Sequence, residues 1–241
     1  GAAKNMLVAG AVLRHASGLE HPRCWGPNFW LKKGQDIWVA TVRPHGEPLI
    51  TTSLERLSWS EALDLWRPLA EAIGRAHQRG IVHGQITPWT VWYDQEAERL
   101  TAIDAGCWVG DHLPEDREQQ MFWAPELRVP PLERVPSPFV DIYGLARLLI
   151  WLTRPREEAM RQQPNLTGLP AFAIPALDRA LKAKPSQRVA RVEELLAATS
   201  PSLVEEYDER VKGATQAEIT SGLAARAQIA THQLVGSPWL W

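Results

Sequence analysis

Few side chains in this 241-residue chain have the types and spacing to do chemistry. One group lies in Ile81-Val82-His83-Gly84-Gln85-Ile86-Thr87-Pro88-Trp89-Thr90, which offers an imidazole, an amide and two hydroxyls. A second is Asp104 in Ile103-Asp104-Ala105-Gly106, a carboxylate able to contribute one oxygen ligand to a divalent cation. His83 is a candidate base, but its neighbour Gln85 is a neutral amide and takes up no proton at working pH. Beside Gln85, His83 reads as a satisfied core histidine. A lone Asp in a turn more often bonds its own backbone than a metal. Cys24 and Cys107 have no base to activate them, no G-x-S-x-G elbow is present, and no zinc-ligand spacing occurs. No cofactor is expected.

The elements that must position these groups follow from periodicity. Residues 5–19 read as a mostly apolar helix that stops at His21-Pro22. Asn28–Lys32 and Ile37–Val42 read as a hairpin joined by Lys33-Gly34-Gln35-Asp36, and Arg43–Pro48 as a turn-rich linker. Ser58 or Ser60 caps a long helix to about Gln78, with Gly80 beyond its end. Leu63, Trp66, Leu69, Ile73 and His77 form its buried stripe, while Pro68 should kink or divide it. Val91–Tyr93 and Leu100–Ile103 read as a second small hairpin. Helices follow at Asp141–Leu152, Glu157–Gln162, Ala171–Leu181 and Arg191–Ala198. Residues 201–241 form an extension, with helical segments at Leu203–Val211 and Gln216–Gln233. Strands first and helices afterwards is an α+β order.

Composition removes several classes of function. Lys+Arg 26 against Asp+Glu 28 gives a net charge of −2, too balanced for general capture of nucleic acid. No run approaches the roughly 20 apolar residues of a membrane span. Two cysteines form no disulfide framework, so a reducing cytoplasm is the expected location. Arg outnumbers Lys, 20 to 6, and the arginines are scattered, which suggests a high-GC bacterial genome rather than a binding mode.

Taken in order, the motifs resemble the protein-kinase superfamily. The segment His83-Gly84-Gln85 to Thr90 resembles the catalytic loop H-R-D-x-K-P-x-N in its bacterial H-G-D form, and Asp104-Ala105-Gly106 resembles D-F-G. Trp123-Ala124-Pro125-Glu126 is similar to A-P-E, Ser137 to Ala146 to the S-D-x-Y-S-L-G helix, and Lys184-Pro185-Ser186-Gln187-Arg188 to D-P-x-x-R. The resemblance spans residues 57–198 and implies a kinase-like fold, mainly a helical large lobe with a reduced small lobe. The implied division is 1–48 small lobe, 49–200 large lobe and 201–241 extension.

The departures from that pattern shape the expected function. In the family the loop Asp accepts the substrate hydroxyl proton, and here that position is Gln85. The loop Lys is Thr87 and the metal-binding Asn is Thr90, so Asp104 alone remains of the catalytic polar groups. No Gly-rich loop or ATP lysine is identified; Thr41 matches the gatekeeper, and Pro44 at the hinge has no N–H to donate to adenine. Between Asp104 and Ala124 no Ser, Thr or Tyr can accept a phosphate. The resemblance implies a Glu126–Arg188 ion pair, largely buried, and an Asp141 that braces the loop near His83. The reading is a pseudokinase that serves as a protein-binding scaffold or regulator. Its rival is a nucleotide sensor, or a residual phosphotransferase using Asp104 with groups supplied by a partner chain.

The 12 tryptophans divide between core and surface. Trp66 and Trp151 share helix faces with apolar residues, whereas Trp89 and Trp92 replace polar positions and are expected to plug the cleft. Trp25, Trp30 and Trp38 are placed on the small-lobe hairpin, where a missing half-lobe leaves apolar surface for a protein partner or a second copy of the chain. Trp239 and Trp241, in the last three residues, predict a tail that docks on the domain or in a partner's groove.

Overall fold

Ser58 starts the longest helix among the described residues. Its hydroxyl accepts from the Glu61 backbone N–H, and the Glu61 carboxylate accepts from the Ser58 N–H, a capping box worth about 1 kcal/mol. The helix, α1 (Trp59–Gln78), buries Ala62, Leu63, Trp66, Leu69, Ala70, Ile73 and Ala76 along one face. The computed structural model that shows this describes residues 20–33, 36–105, 117–129 and 137–200. The expected break at Pro68 does not divide α1, which runs unbroken for 20 residues. The carbonyl that Pro68 leaves without an N–H belongs to Asp64, on the exposed face, where water can take the bond.

Among the described residues, seven short strands precede and follow α1: β1 (Glu20–His21), β2 (Cys24–Trp25), β3 (Phe29–Lys33), β4 (Asp36–Ala40), β5 (Glu47–Pro48), β6 (Val91–Asp94) and β7 (Arg99–Ala102). Five form one sheet in the order β1-β2-β7-β6-β5, and β3 pairs with β4 in a sheet of its own. The β3–β4 and β6–β7 hairpins lie where the alternation predicts. The β2–β7 pairing, parallel at Cys24↔Ala102, carries no sequence signal of its own. It corrects one placement: Trp25 is not on the β3–β4 hairpin but on β2, half-buried, with its carbonyl accepting from Ala105 N–H at 3.1 Å. The sheet also joins residues from both sides of position 48, so β1, β2 and β5 are structurally continuous with β6 and β7.

Behind the sheet and α1 lies α3 (Pro138–Thr153), buried on nearly every side as its apolar run from Ile142 to Leu152, interrupted by Arg147, requires. It packs on α1, where the Trp66 indole N–H donates to the Leu145 carbonyl at 2.9 Å. Smaller helices complete the set: α2 (Arg117–Gln120), α4 (Arg156–Ala159), α5 (Ile174–Ala180) and α6 (Val192–Thr199). Gly144 of α3 faces Ile86, where an added Cβ would lie 2.9 Å from the Ile86 carbonyl oxygen, so the loop backbone rests directly on the helix. Proline sets the starts of α3 and of the 3-10 turns at Pro125 and Pro185. The chain divides into units 1–200 and 201–241. The second unit, with Trp239 and Trp241, lies outside the described residues, as do the predicted helix 5–19 and the Trp30 side chain.

Candidate functional site

The loop 81–90 connects the end of α1 to the start of β6, and Asp104 follows two residues after β7. Gly80 turns the chain out of α1 at φ +73°. The Asp141 carboxylate of α3 then anchors the loop: Oδ2 accepts from the His83 backbone N–H at 2.8 Å and Oδ1 from Gly84 N–H at 2.7 Å. His77, in the last turn of α1, donates from Nε2 to the same Oδ2 at 2.8 Å. Asp141 is 0% exposed, so a full set of donors is what permits the charge to be there.

His83 is enclosed beside this anchor. Its Nδ1 accepts from the Gln85 backbone N–H at 3.2 Å, which places the ring proton on Nε2. Burial lowers its pKa from the ordinary value, opposed by the Asp141 and Asp104 carboxylates and the Ile103 backbone. The imidazole is thus held neutral and used for local structure, but its Nε2 is buried without a partner among the described residues, so His83 is not the satisfied core histidine that the sequence predicts.

Gln85, Thr87 and Thr90 are brought together and buried. The Thr90 hydroxyl donates to the Gln85 carbonyl and accepts from Thr87 N–H at 3.1 Å. Thr87 Oγ1 lies 3.2 Å from Thr90 Oγ1 and accepts from Trp89 N–H at 3.3 Å. The two hydroxyls therefore satisfy the loop's own backbone. Asp104 sits at φ +64°, and its Oδ1 accepts from the Thr41 hydroxyl at 2.6 Å. Thr41 follows β4 directly, so this bond ties the hairpin to the turn.

Trp89 and Trp92 do different things. Trp89 packs edge-on against Phe122 at 5.8 Å, and Phe122 against Trp151 at 5.5 Å, an aromatic chain within the helical part. Trp92 stands on β6 with the Arg43 guanidinium 5.1 Å from its ring centroid. Pro44, the expected hinge residue, is buried beside it in sequence.

Away from the loop, Arg188 donates to both Glu126 oxygens at 2.7 Å. It also donates to the Phe139 carbonyl at 2.8 Å and the Lys182 carbonyl at 2.8 Å, with its guanidinium 5.0 Å from the Tyr143 centroid. The Arg188 side chain is 0% exposed and that of Glu126 19%. Sequence reasoning overlooked two polar residues. His77 was legible only as a member of the α1 stripe, although a His in the last turn before a loop is placed to reach it. Arg147, 0% exposed on α3, donates to the Ala159 and Arg161 carbonyls at 2.8 and 2.6 Å and lies 4.9 Å from the Phe122 centroid. Its only signal was a charge inside an apolar run.

Among the described residues, no three His, Cys, Asp or Glu side chains cluster as a metal would need. No described helix is long and apolar enough to cross a membrane.

No family model matches the sequence, and no curated protein does. Solved structures do. The PknI kinase domain of Mycobacterium tuberculosis matches with a TM-score of 0.61 at 20% identity, over 81% of this chain and 78% of that one. A single mutant of the same domain gives 0.62 at 22% identity over 81% and 77%, and a double mutant 0.61 at 22% over 81% and 78%. These likenesses show the fold: the chain has a protein-kinase-like, α+β arrangement of sheets and helices.

Proposed function

We propose that this kinase-like domain transfers no phosphate and works by binding another protein. The observation that carries the reading is the use to which the loop puts its polar groups. Where the family pattern calls for a base, a cation and a metal ligand, the chain has Gln85, Thr87 and Thr90, and both hydroxyls are engaged by the loop itself. General-base catalysis alone is usually worth about 10² to 10⁴ in rate. Asp104 is engaged by Thr41. The partner surface is the β3–β4 hairpin, where Phe29, Leu31, Trp38 and Val42 are all exposed, Trp38 at 63%. Leu31 faces Trp38 and Phe29 faces Ala40 across the ladder, so Phe29, Leu31 and Trp38 share one face, and Val42 lies two residues beyond the end of β4.

A second reading, nucleotide binding through Asp104, is favoured by its left-handed backbone, since strained residues concentrate at functional sites. Thermal unfolding with and without millimolar ATP and Mg²⁺ separates the two. A ligand at 100 times its Kd stabilises by about 2.7 kcal/mol, or about 5–10 °C for a domain of this size. The scaffold reading expects no shift. A magnesium-dependent shift that disappears in Asp104→Ala would establish nucleotide binding in its place.

A further inference from the structure

The segment 49–57, which leads into α1, and the end of α3 enclose a pocket of about 130 Å³ that no step above uses. Three arginines line it, Arg56, Arg154 and Arg156, against a single acid, Glu55. Its apolar wall is Trp151 with Leu152, and Arg156 stacks its guanidinium 5.5 Å from the Trp151 centroid. None of the three arginines has a carboxylate within ion-pair distance among the described residues. Their bonds are to carbonyls: Arg154 Nη2 to Thr167, and Arg156 Nη1 to Ile50 at 3.4 Å. Arg154 Nε is buried with no partner at all.

This is an unneutralised cationic pocket, and its size limits the occupant. Small-molecule and cofactor sites run to roughly 300–1,000 Å³, so this pocket is small for a whole nucleotide and of a size for one charged group. A water takes about 30 Å³ of liquid, so the space suits a tetrahedral anion on a short stem. Guanidinium forks bind phosphate oxygens two at a time, and with Arg154 held on Thr167, Arg56 and Arg156 are the two left to meet a dianion while Arg154 adds its charge. The Trp151 wall gives flanking residues an apolar surface, and Trp and Arg are both enriched among the residues that carry protein–protein binding energy. We propose that this pocket binds a phosphorylated serine or threonine side chain of a partner polypeptide. The proposal deepens the scaffold reading by giving the partner a chemistry, and it uses no residue of the loop 81–90 or the turn at Asp104.

The test is capture of a degenerate peptide library, phosphorylated on Ser or Thr or left unphosphorylated, followed by anisotropy titrations of the retained peptides. Wild type should retain the phosphorylated library selectively. Arg56→Ala and Arg156→Ala should each weaken binding about tenfold, the scale of one lost charge-assisted contact, and Arg156→Lys should weaken it less than Arg156→Ala. Arg56 is exposed and makes no described hydrogen bond, so Arg56→Ala should unfold at the wild-type temperature and keep the test readable. Equal retention of both libraries overturns the proposal. So does phosphopeptide binding that both alanine variants leave intact, or binding of inorganic phosphate alone, equal in wild type and variants, which is an adventitious ion only. Stabilisation by ATP would sink the scaffold reading while leaving these titrations to be judged separately.

Discussion

Asp141 and Asp104 both lie near His83, and the chain treats them in opposite ways. Asp141 is fully buried and receives two backbone N–H groups and an imidazole. Asp104 is half-buried, and its one described hydrogen bond is the 2.6 Å contact from Thr41. The contrast extends to their surroundings. Around Asp141 the helical part gives its buried charges several partners each: Arg188 bonds Glu126 and carbonyls, and Arg147 bonds carbonyls at the end of α4 and just after it. Around Asp104 the hairpin leaves Phe29, Leu31 and Trp38 exposed, and the loop hydroxyls bond one another. A buried charge with all its partners is a requirement of the fold. The positions that the fold does not require are the ones on which the proposed scaffold function rests.

The largest expected effect breaks the buried side of this contrast. Asp141→Ala leaves the His83 and Gly84 N–H groups and His77 without their acceptor inside the core. The expected loss is about 3–5 kcal/mol, a large part of the 5–15 kcal/mol of a typical domain. Asp104→Ala gives up one half-exposed bond, worth about 1 kcal/mol. Urea unfolding of both variants measures the difference. Equal losses would mean that Asp104 carries structural weight not visible in its bonding, and the contrast between the two acids would fail.

The middle effect depends on pH. Burial holds the folded His83 pKa below the ordinary 6.5, so below about pH 6.5 the unfolded chain takes up a proton that the folded chain refuses. Stability therefore falls as pH drops from about 6.5 toward the folded pKa, by at most about 1.4 kcal/mol per pH unit for this one group. His21, lowered by partial burial and by Arg75 and Arg23, adds a part of the same sign. His83→Gln should flatten the slope between pH 6.5 and 5 while leaving the His21 part. An unchanged slope would place the proton uptake elsewhere.

How much of this was legible in the sequence depended on the kind of force involved. Glu126, Arg188 and Asp141 stand in motifs whose order is itself the signal, and α1 announces both ends through Ser58 and Gly80. The β2–β7 pairing was not legible, because Cys24 and Trp25 are two residues whose partners lie in a strand far along the chain. Trp25 was consequently placed on the wrong sheet. Nor does sequence say that the Thr87 and Thr90 hydroxyls turn toward the loop backbone, since the same side chains could face solvent. Pro68 was misleading because its cost depends on which carbonyl it strands, and that carbonyl lies on the wet face of α1.

The smallest effect on stability sharpens the other side. Trp38 is 63% exposed on β4, opposite Leu31, so replacing it removes little that folding has buried. Trp38→Ser should change the unfolding free energy by no more than about 0.5 kcal/mol, the usual range for a surface position. If the hairpin face is where a protein docks, the same substitution should remove most of the binding, because an exposed aromatic at a contact centre typically carries about 2 kcal/mol or more. Stability and binding would then separate at Trp38, whereas at Asp141 they fall together. Crosslinked partners recovered with wild type and lost with Trp38→Ser, at equal melting temperature, are the expected result. A destabilisation above about 1 kcal/mol would instead make Trp38 part of the folded core's support, and the hairpin would belong with the buried region rather than against it.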